Sequence, residues 1–224
     1  MNNAIPIFAP PRPVNLARDE LAVAEATKYR AMWARPEYRR WSPGEAHAPV
    51  AAERLGMKWG DTLYDLGCGA GAAVPEFARR GLLVRAIDIA LSPELIGDAV
   101  QKTKHLPLIY LPMWTIACLW SLPLDYPRRD WVFCCDVLEH IPPAKVGAVL
   151  DAIARLMKKG GYLTIHCGPD GMGKLIGETL HLTVREPEWW VAEIRQRMHV
   201  KSAEGAGGEV TVIVAPKPEA AHVR

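Results

Sequence analysis

Residues 16–34 are the first to fall into helical rhythm, where Leu21, Ala24, Lys28 and Ala31 recur at helical spacing and Pro36 follows as a stop. An aromatic-rich loop, residues 38–44, leads to a shorter helical stretch over 45–55. From residue 62 the rhythm changes to short apolar runs alternating with helical patterns. Runs at 62–66, 83–88, 108–111, 131–135 and 162–167 predict strands. Helices are predicted at 72–80, after Ser92-Pro93-Glu94 as a serine cap with proline in the first turn, and at 187–198. The longest runs from Pro142 to about Lys158, with Val146, Val149, Leu150, Ile153, Leu156 and Met157 on its apolar side. Lys158-Lys159-Gly160-Gly161 reads as its stop, with cations at the negative end of the helix dipole. The last stretch reads as a hairpin, 199–202 and 209–215 around the glycines of 205–208. Strand and helix in alternation predict an α/β fold whose parallel sheet is wound on both faces.

The chemistry gathers at residues 63–71, Leu-Tyr-Asp-Leu-Gly-Cys-Gly-Ala-Gly. They place a carboxylate, Asp65, between a buried strand and a glycine turn that opens a helix. Asp88 ends the next strand. Strand, glycine turn, helix, strand, acid is the layout of a nucleotide-binding βαβ unit. Its glycines admit a ligand close to the backbone, and Asp88 can accept hydrogen bonds from two ribose hydroxyls. Gly67-x-Gly69-x-x-Ala72 also fits the dinucleotide fingerprint, but Asp65 tells against a pyrophosphate. Like charges ~4 Å apart at an effective dielectric near 20 cost roughly 4 kcal/mol. S-adenosylmethionine, which carries a sulfonium and an ammonium and no phosphate, suits a carboxylate there.

Residues 65–71, Asp88, residues 135–142 (Cys-Asp-Val-Leu-Glu-His-Ile-Pro) and residues 159–163 (Lys-Gly-Gly-Tyr-Leu) follow one another in an order that resembles the class I S-adenosylmethionine-dependent methyltransferases. The resemblance covers residues 62–167. It implies a Rossmann-like seven-stranded sheet, mostly parallel with an antiparallel C-terminal hairpin strand, and helices on both faces. It implies S-adenosylmethionine as cofactor and methyl transfer to an oxygen or nitrogen of a small-molecule acceptor. Asp65, Gly67, Cys68, Gly69 and Gly71 would hold the methionine end, Asp88 the ribose, and Ile89 the adenine. The acid that the family often carries before a Leu-Pro pair is missing at Leu122-Pro123, so the backbone of Leu119 or Trp120 would meet the adenine. Asp136 and Val137 complete the expected cofactor set.

His140 and His181 are the candidate bases, since imidazole titrates near neutrality. For His140 a structural role, orienting the loop, is favoured. Tyr38, Trp41, His166, Trp189 and Trp190 are the candidate acceptor-pocket residues, with core packing as the competing reading of the tryptophans. No metal site is expected. Residues 1–58 read as an arm and helical cap over the ligand, and 59–224 as the core of a single domain. The alternatives are an NAD(P)-dependent oxidoreductase and a non-catalytic S-adenosylmethionine-binding regulatory protein.

Bulk properties change this picture little. The 224 residues are 50% hydrophobic and 23% charged, an ordinary globular balance. A net charge of +2, with scattered basic pairs, does not resemble a nucleic-acid footprint. Five cysteines without a CxxC pair predict reduced thiols, a cytoplasmic setting and no structural zinc. No apolar run reaches the ~18 residues of a membrane span, and the proline-broken start predicts an extended arm and no signal peptide. Oligomeric state is left open.

Overall fold

A computed structural model describes residues 19–39 and 42–218. Seven strands form its sheet: β1 (Thr62–Leu66), β2 (Leu83–Asp88), β3 (Met113–Ile116), β4 (Arg129–Cys135), β5 (Met157–His166), β6 (His199–Ala206) and β7 (Glu209–Ala215). Their order is β3-β2-β1-β4-β5-β7-β6. β1 to β5 are parallel, β7 lies antiparallel against β5, and β6 closes the hairpin. The chain winds from β1 out to β3, then returns to lay β4 on the other side of β1. That reversal makes the carboxyl ends of β1, β2 and β4 the switch point where ligands bind in such sheets.

The helices are α1 (Glu20–Trp33), α2 (Pro36–Arg39), α3 (Gly44–Arg54), α4 (Val74–Arg79), α5 (Gly97–Thr103), α6 (Val146–Leu156) and α7 (Pro187–Arg195). Two apolar layers hold the sheet. One joins Tyr64, Leu66 and Val132 to Val149, Leu150 and Ile153 of α6 and Trp190 and Ile194 of α7. The other joins Leu63, Val84 and Phe133 to Ala48 and Ala51 of α3 and Val74 and Phe77 of α4. Every residue assigned to the apolar side of α6 from its sequence is buried, and Met157 with them.

Several boundaries differ from the sequence expectation. α1 buries Ala22, Glu25, Ala26 and Met32, whereas Leu21, Ala24 and Ala31 are exposed, so its inward face is rotated from the predicted stripe. Pro36 starts α2 as well as ending the preceding run. The third strand is 113–116, in register with Arg85–Asp88, and residues 108–110 form a single 3₁₀ turn behind Pro107. Leu108 is 86% exposed, so apolar character there does not report burial. Ser92 accepts from Leu95 N–H at 3.2 Å but caps only a turn, and α5 begins at Gly97. Lys158 to Gly161 belong to β5 and are no helix stop. Neither Gly160 nor Gly161 has positive φ, and a Cβ on Gly160 would press on the Val214 carbonyl, so the glycines serve strand packing.

Candidate functional site

The turn after β1 needs its glycines. Gly67, Gly69 and Gly71 have φ of +73°, +52° and +73°, a region that L side chains rarely adopt. Gly67 and Cys68 donate N–H bonds to Ile87 O at 2.8 and 3.1 Å, which ties the turn to the end of β2. Asp88 locks the same junction: Oδ2 accepts from Gly69 N–H at 2.9 Å and Oδ1 from Ala90 N–H at 2.8 Å. Each oxygen keeps a lone pair for a further donor. Burial raises the Asp88 pKa despite these bonds.

Two cavities meet over this edge of the sheet. The first, about 620 Å³ and partly open to solvent, is lined by Gly67, Asp88, Ile89, Ala117, Leu119, Trp120, Asp136, Val137, His140 and Ile141 from the sheet side. Glu25, Tyr29 and Trp33 of α1 and Tyr38 of α2 line it from the other. The second, about 1270 Å³ and more open, is lined by Ser42, Pro43, His166, Pro169, Asp170, Met172, Leu180, His181 and Glu209, among others. Tyr38, Asp136 and His140 belong to both.

α1 is fastened across the first cavity. Its N-cap Asp19 accepts from Ala22 N–H at 3.2 Å and from Trp120 Nε1–H at 2.8 Å. Tyr29 O–H lies 2.8 Å from His140 Nδ1, and Lys28 Nζ donates to Thr179 O at 3.3 Å. The Trp33 indole sits where a Cβ on Gly69 would be.

The wall between the cavities is the loop after β4. Asp136 has φ +58°, the one non-glycine with positive φ among the described residues, a conformation that stores strain. Glu139 is fully buried. Its Oε1 accepts from His166 N–H at 2.8 Å, and its carbonyl from Thr183 N–H at 2.9 Å. Burial, then the neighbouring Asp136 carboxylate, raises Glu139 well above the usual range. Burial brings His140 down to about 4, against the opposing field of Asp136, so the ring is neutral at pH 7. His181 Nδ1 lies 2.8 Å from Gly168 O. A carbonyl only accepts, so Nδ1 carries the proton in this bond. The rings of His140 and His166 stand 4.8 and 5.1 Å from that of His181. Asp170 holds the flanking loop. Burial raises its pKa, but N–H bonds from Met172, Leu180 and Gly173 outweigh it and leave the carboxyl below its ordinary value.

Residues 64–165 match the family model described as a methyltransferase domain. A ubiquinone biosynthesis O-methyltransferase of Klebsiella pneumoniae is 31% identical over 112 residues, 50% of this chain and 44% of that protein. The chain spans less than half the length of that curated relative. Among solved structures, the 1,6-didemethyltoxoflavin-N1-methyltransferase of Burkholderia thailandensis, with S-adenosylhomocysteine bound, superposes with a TM-score of 0.66 at 17% identity, covering 94% of each chain. Residues 64–165 are a class I methyltransferase domain. The [4+2]-cyclase SpnF superposes with a TM-score of 0.60 at 16% identity over 77% of this chain and 81% of that one, so the fold alone does not fix the reaction.

In this methyltransferase domain, seven of the expected cofactor residues line the first cavity: Gly67, Asp88, Ile89, Leu119, Trp120, Asp136 and Val137. Asp65, Cys68, Gly69 and Gly71 do not. Trp33 covers Gly69, Trp114 covers Gly71, and Asp65 is 2% exposed with Oδ2 unpartnered. Burial, then the nearby Asp88 carboxylate, raises Asp65 to about 8, so it is largely protonated at pH 7. The charge that was to repel a pyrophosphate is therefore mostly absent from the folded domain at pH 7. Of the acceptor residues, Tyr38 and His166 line the second cavity beside His181, and Trp41 lies outside the described residues. Trp189 and Trp190 are a correction: both belong to α7, Trp190 fully buried in the core and Trp189 partly buried against it, and they line neither cavity. Sequence reasoning missed Glu25, Tyr29 and Trp33. Tyr29 and Trp33 stand one helical turn apart, a signal that the misplaced stripe on α1 hid. Glu139, His140 and His181 offer ligand-type atoms within 4.8 Å of one another, a geometry open to a metal ion that the sequence did not suggest.

Proposed function

We propose that this chain transfers a methyl group from S-adenosylmethionine to an oxygen or nitrogen of a small-molecule acceptor. The observation that carries the reading is the pair of cavities meeting at Asp136 and His140. One is walled by apolar and aromatic groups beside a ribose-ready Asp88, and the other by imidazoles. S-adenosylhomocysteine bound in the Burkholderia neighbour supports the choice of cofactor.

The donor residues fit. Asp88 would take the ribose hydroxyls, and Ile89, Leu119 and Trp120 would sandwich the adenine. Asp136 would face the cationic end, and that charge would favour the ionised form of Asp65, buried behind the glycine turn. Bound there, S-adenosylmethionine supplies an electrophilic methyl group on a sulfonium. The chain's own task is alignment and exclusion of water, worth roughly 7–11 kcal/mol when the geometry is right. Tyr38 and α1 close the donor side. His181 Nε2 would take the proton from an acceptor that must lose one, a contribution of about 10²–10⁴-fold. Neutral His140, tied to Tyr29 and to Leu180 O at 3.1 Å, positions the wall. The described residues before 59 act as a cap on the core that follows them. Five unpaired cysteines suit a reducing compartment such as the cytoplasm. No described helix is long and apolar enough to cross a membrane.

Calorimetric titration with S-adenosylmethionine, S-adenosylhomocysteine and NADH tests the cofactor. Micromolar binding of the first two and none of NADH is expected. Binding of NADH alone would return the chain to the dehydrogenase alternative. Mass analysis of products across an acceptor panel then separates methyl transfer from rearrangement of the kind a cyclase performs. Binding without any methylated product would favour the regulatory alternative.

A further inference from the structure

Two arginines lie in the core of this domain with no carboxylate to meet them. Arg85, on β2, is 0% exposed and Arg129, at the start of β4, 4%. Arg85 stands in register with Tyr64 of β1, so both project from one face of the sheet, into the layer that holds Tyr126. Arg129 lies over the Tyr64 ring, 5.1 Å from its centroid. Their protein partners are few and uncharged: the Tyr64 hydroxyl lies near both guanidinium groups, and Thr115 lies near the Tyr126 hydroxyl. Arg85 Nη2 reaches Met113 Sδ at 3.4 Å, and Arg129 Nη1 donates to Leu83 O at 2.7 Å. Arg85 Nε and Nη1, Arg129 Nε and Tyr126 Oη are buried without a hydrogen-bond partner. Among the described residues, neither guanidinium makes a salt bridge.

Arginine does not escape by losing its proton in a protein. Two unpaired cations side by side in a low-dielectric core are strongly unfavourable. The unpartnered donors are three guanidinium nitrogens and one phenol, so the complement is an acceptor carrying negative charge. Each of these atoms is buried and neither cavity reaches them, which limits the complement to an atom or two. We propose that a small monoanion of halide size binds in the core between Arg85 and Arg129, with Tyr126 O–H as a further donor. The site is separate from both cavities and does not depend on the methyl-transfer reading.

The test is thermal unfolding of the full chain in sodium gluconate, whose anion is too large to enter. Chloride or bromide replaces gluconate at constant ionic strength. A saturable rise of the midpoint is expected, about 3–6 °C at a tenfold excess over Kd. Arg85→Met should lose that dependence. Crystals grown in bromide should show an anomalous peak between the guanidinium groups, which decides the matter in the wild-type chain if the variant does not fold. Equal midpoints in gluconate and halide, or ordered water at that position with no bromide peak, would overturn the proposal.

Discussion

Asp65 makes the protein less stable as pH rises, and Asp65→Asn should reverse this. The carboxyl sits at about 8 in the folded domain against an ordinary 3.8, because burial and the nearby Asp88 both disfavour its charge. Between those two values the folded chain holds a proton that the unfolded chain has lost. Stability contributed by the protonated form is complete below pH 3.8, declines through the window, and is gone above about pH 8. Each pH unit inside the window costs about 1.4 kcal/mol, which by pH 7 amounts to on the order of 4 kcal/mol. Asparagine has nearly the same shape and never ionises. The variant should therefore gain on wild type as pH rises, by about 1.4 kcal/mol per unit up to pH 8. His140 acts in the opposite sense in both proteins and cancels from the comparison: lowered to about 4, it adds stability as pH rises towards its ordinary 6.5. Urea unfolding of the two proteins at pH 5, 6.5 and 8 reads the difference directly. A difference that stays flat across those three values would refute the argument that Asp65 is held protonated. The same substitution should weaken S-adenosylmethionine, since a bound cation is what restores the carboxylate. Titration in buffers of different ionisation enthalpy should show proton release on binding to wild type and none to the variant.

Gly69→Val should abolish cofactor binding by calorimetry, because φ is +52° there and the new side chain would meet the Trp33 indole. Tyr29→Phe keeps the edge contact with His140, 5.8 Å between ring centroids, but loses the hydroxyl beside Nδ1. It should lower kcat with little change in KM for the cofactor and lose about 1 kcal/mol of stability. His181→Ala should lower kcat by about 10²–10⁴-fold for an acceptor that must lose a proton, with S-adenosylmethionine affinity unchanged in the same preparation. An unchanged rate would remove His181 from the base role.

The parts legible in the sequence are those in which local pattern and tertiary demand agree. β1, β2 and the apolar side of α6 combine a strong period with full burial, and their positions follow from the residues alone. Gly67, Asp88 and Asp136 are legible for another reason: a turn that needs positive φ and a carboxylate at a strand end each leave a mark in the chain. Where a residue's partner lies far away, local pattern is no guide. Leu108-Ile109-Tyr110 has a strand's composition, yet the register with β2 falls at Met113 to Ile116. Trp189-Trp190 looks like a stacking platform until α7 is packed, and α7 turns it into the core. The inward face of α1 is set by what it covers. Alanines at 22 and 26 let it approach closely, while Leu21 and Val23 remain exposed.

The positive φ of Asp136 follows from what holds the loop on either side of it. Its own N–H donates to Thr164 O at 3.1 Å, which anchors the loop to β5. Three residues on, Glu139 is fastened through His166 N–H and Thr183 N–H, and the Thr183 hydroxyl donates to Ile141 O at 2.7 Å. With both ends fixed, the backbone between them has little choice, and such strain persists where surroundings over-determine it. The result is that Asp136 and His140 face both cavities at once, and α1 reaches the same loop through Tyr29. Replacing Glu139 should therefore act at a distance. In Glu139→Gln the buried group loses its carboxyl proton chemistry but keeps an oxygen for His166 N–H, so the loop should hold. Glu139→Ala leaves that N–H without its acceptor, at a cost of about 1–3 kcal/mol, and frees the loop. If the strain at Asp136 positions both ligands, the alanine variant should raise KM for cofactor and acceptor together, and the glutamine variant should restore both.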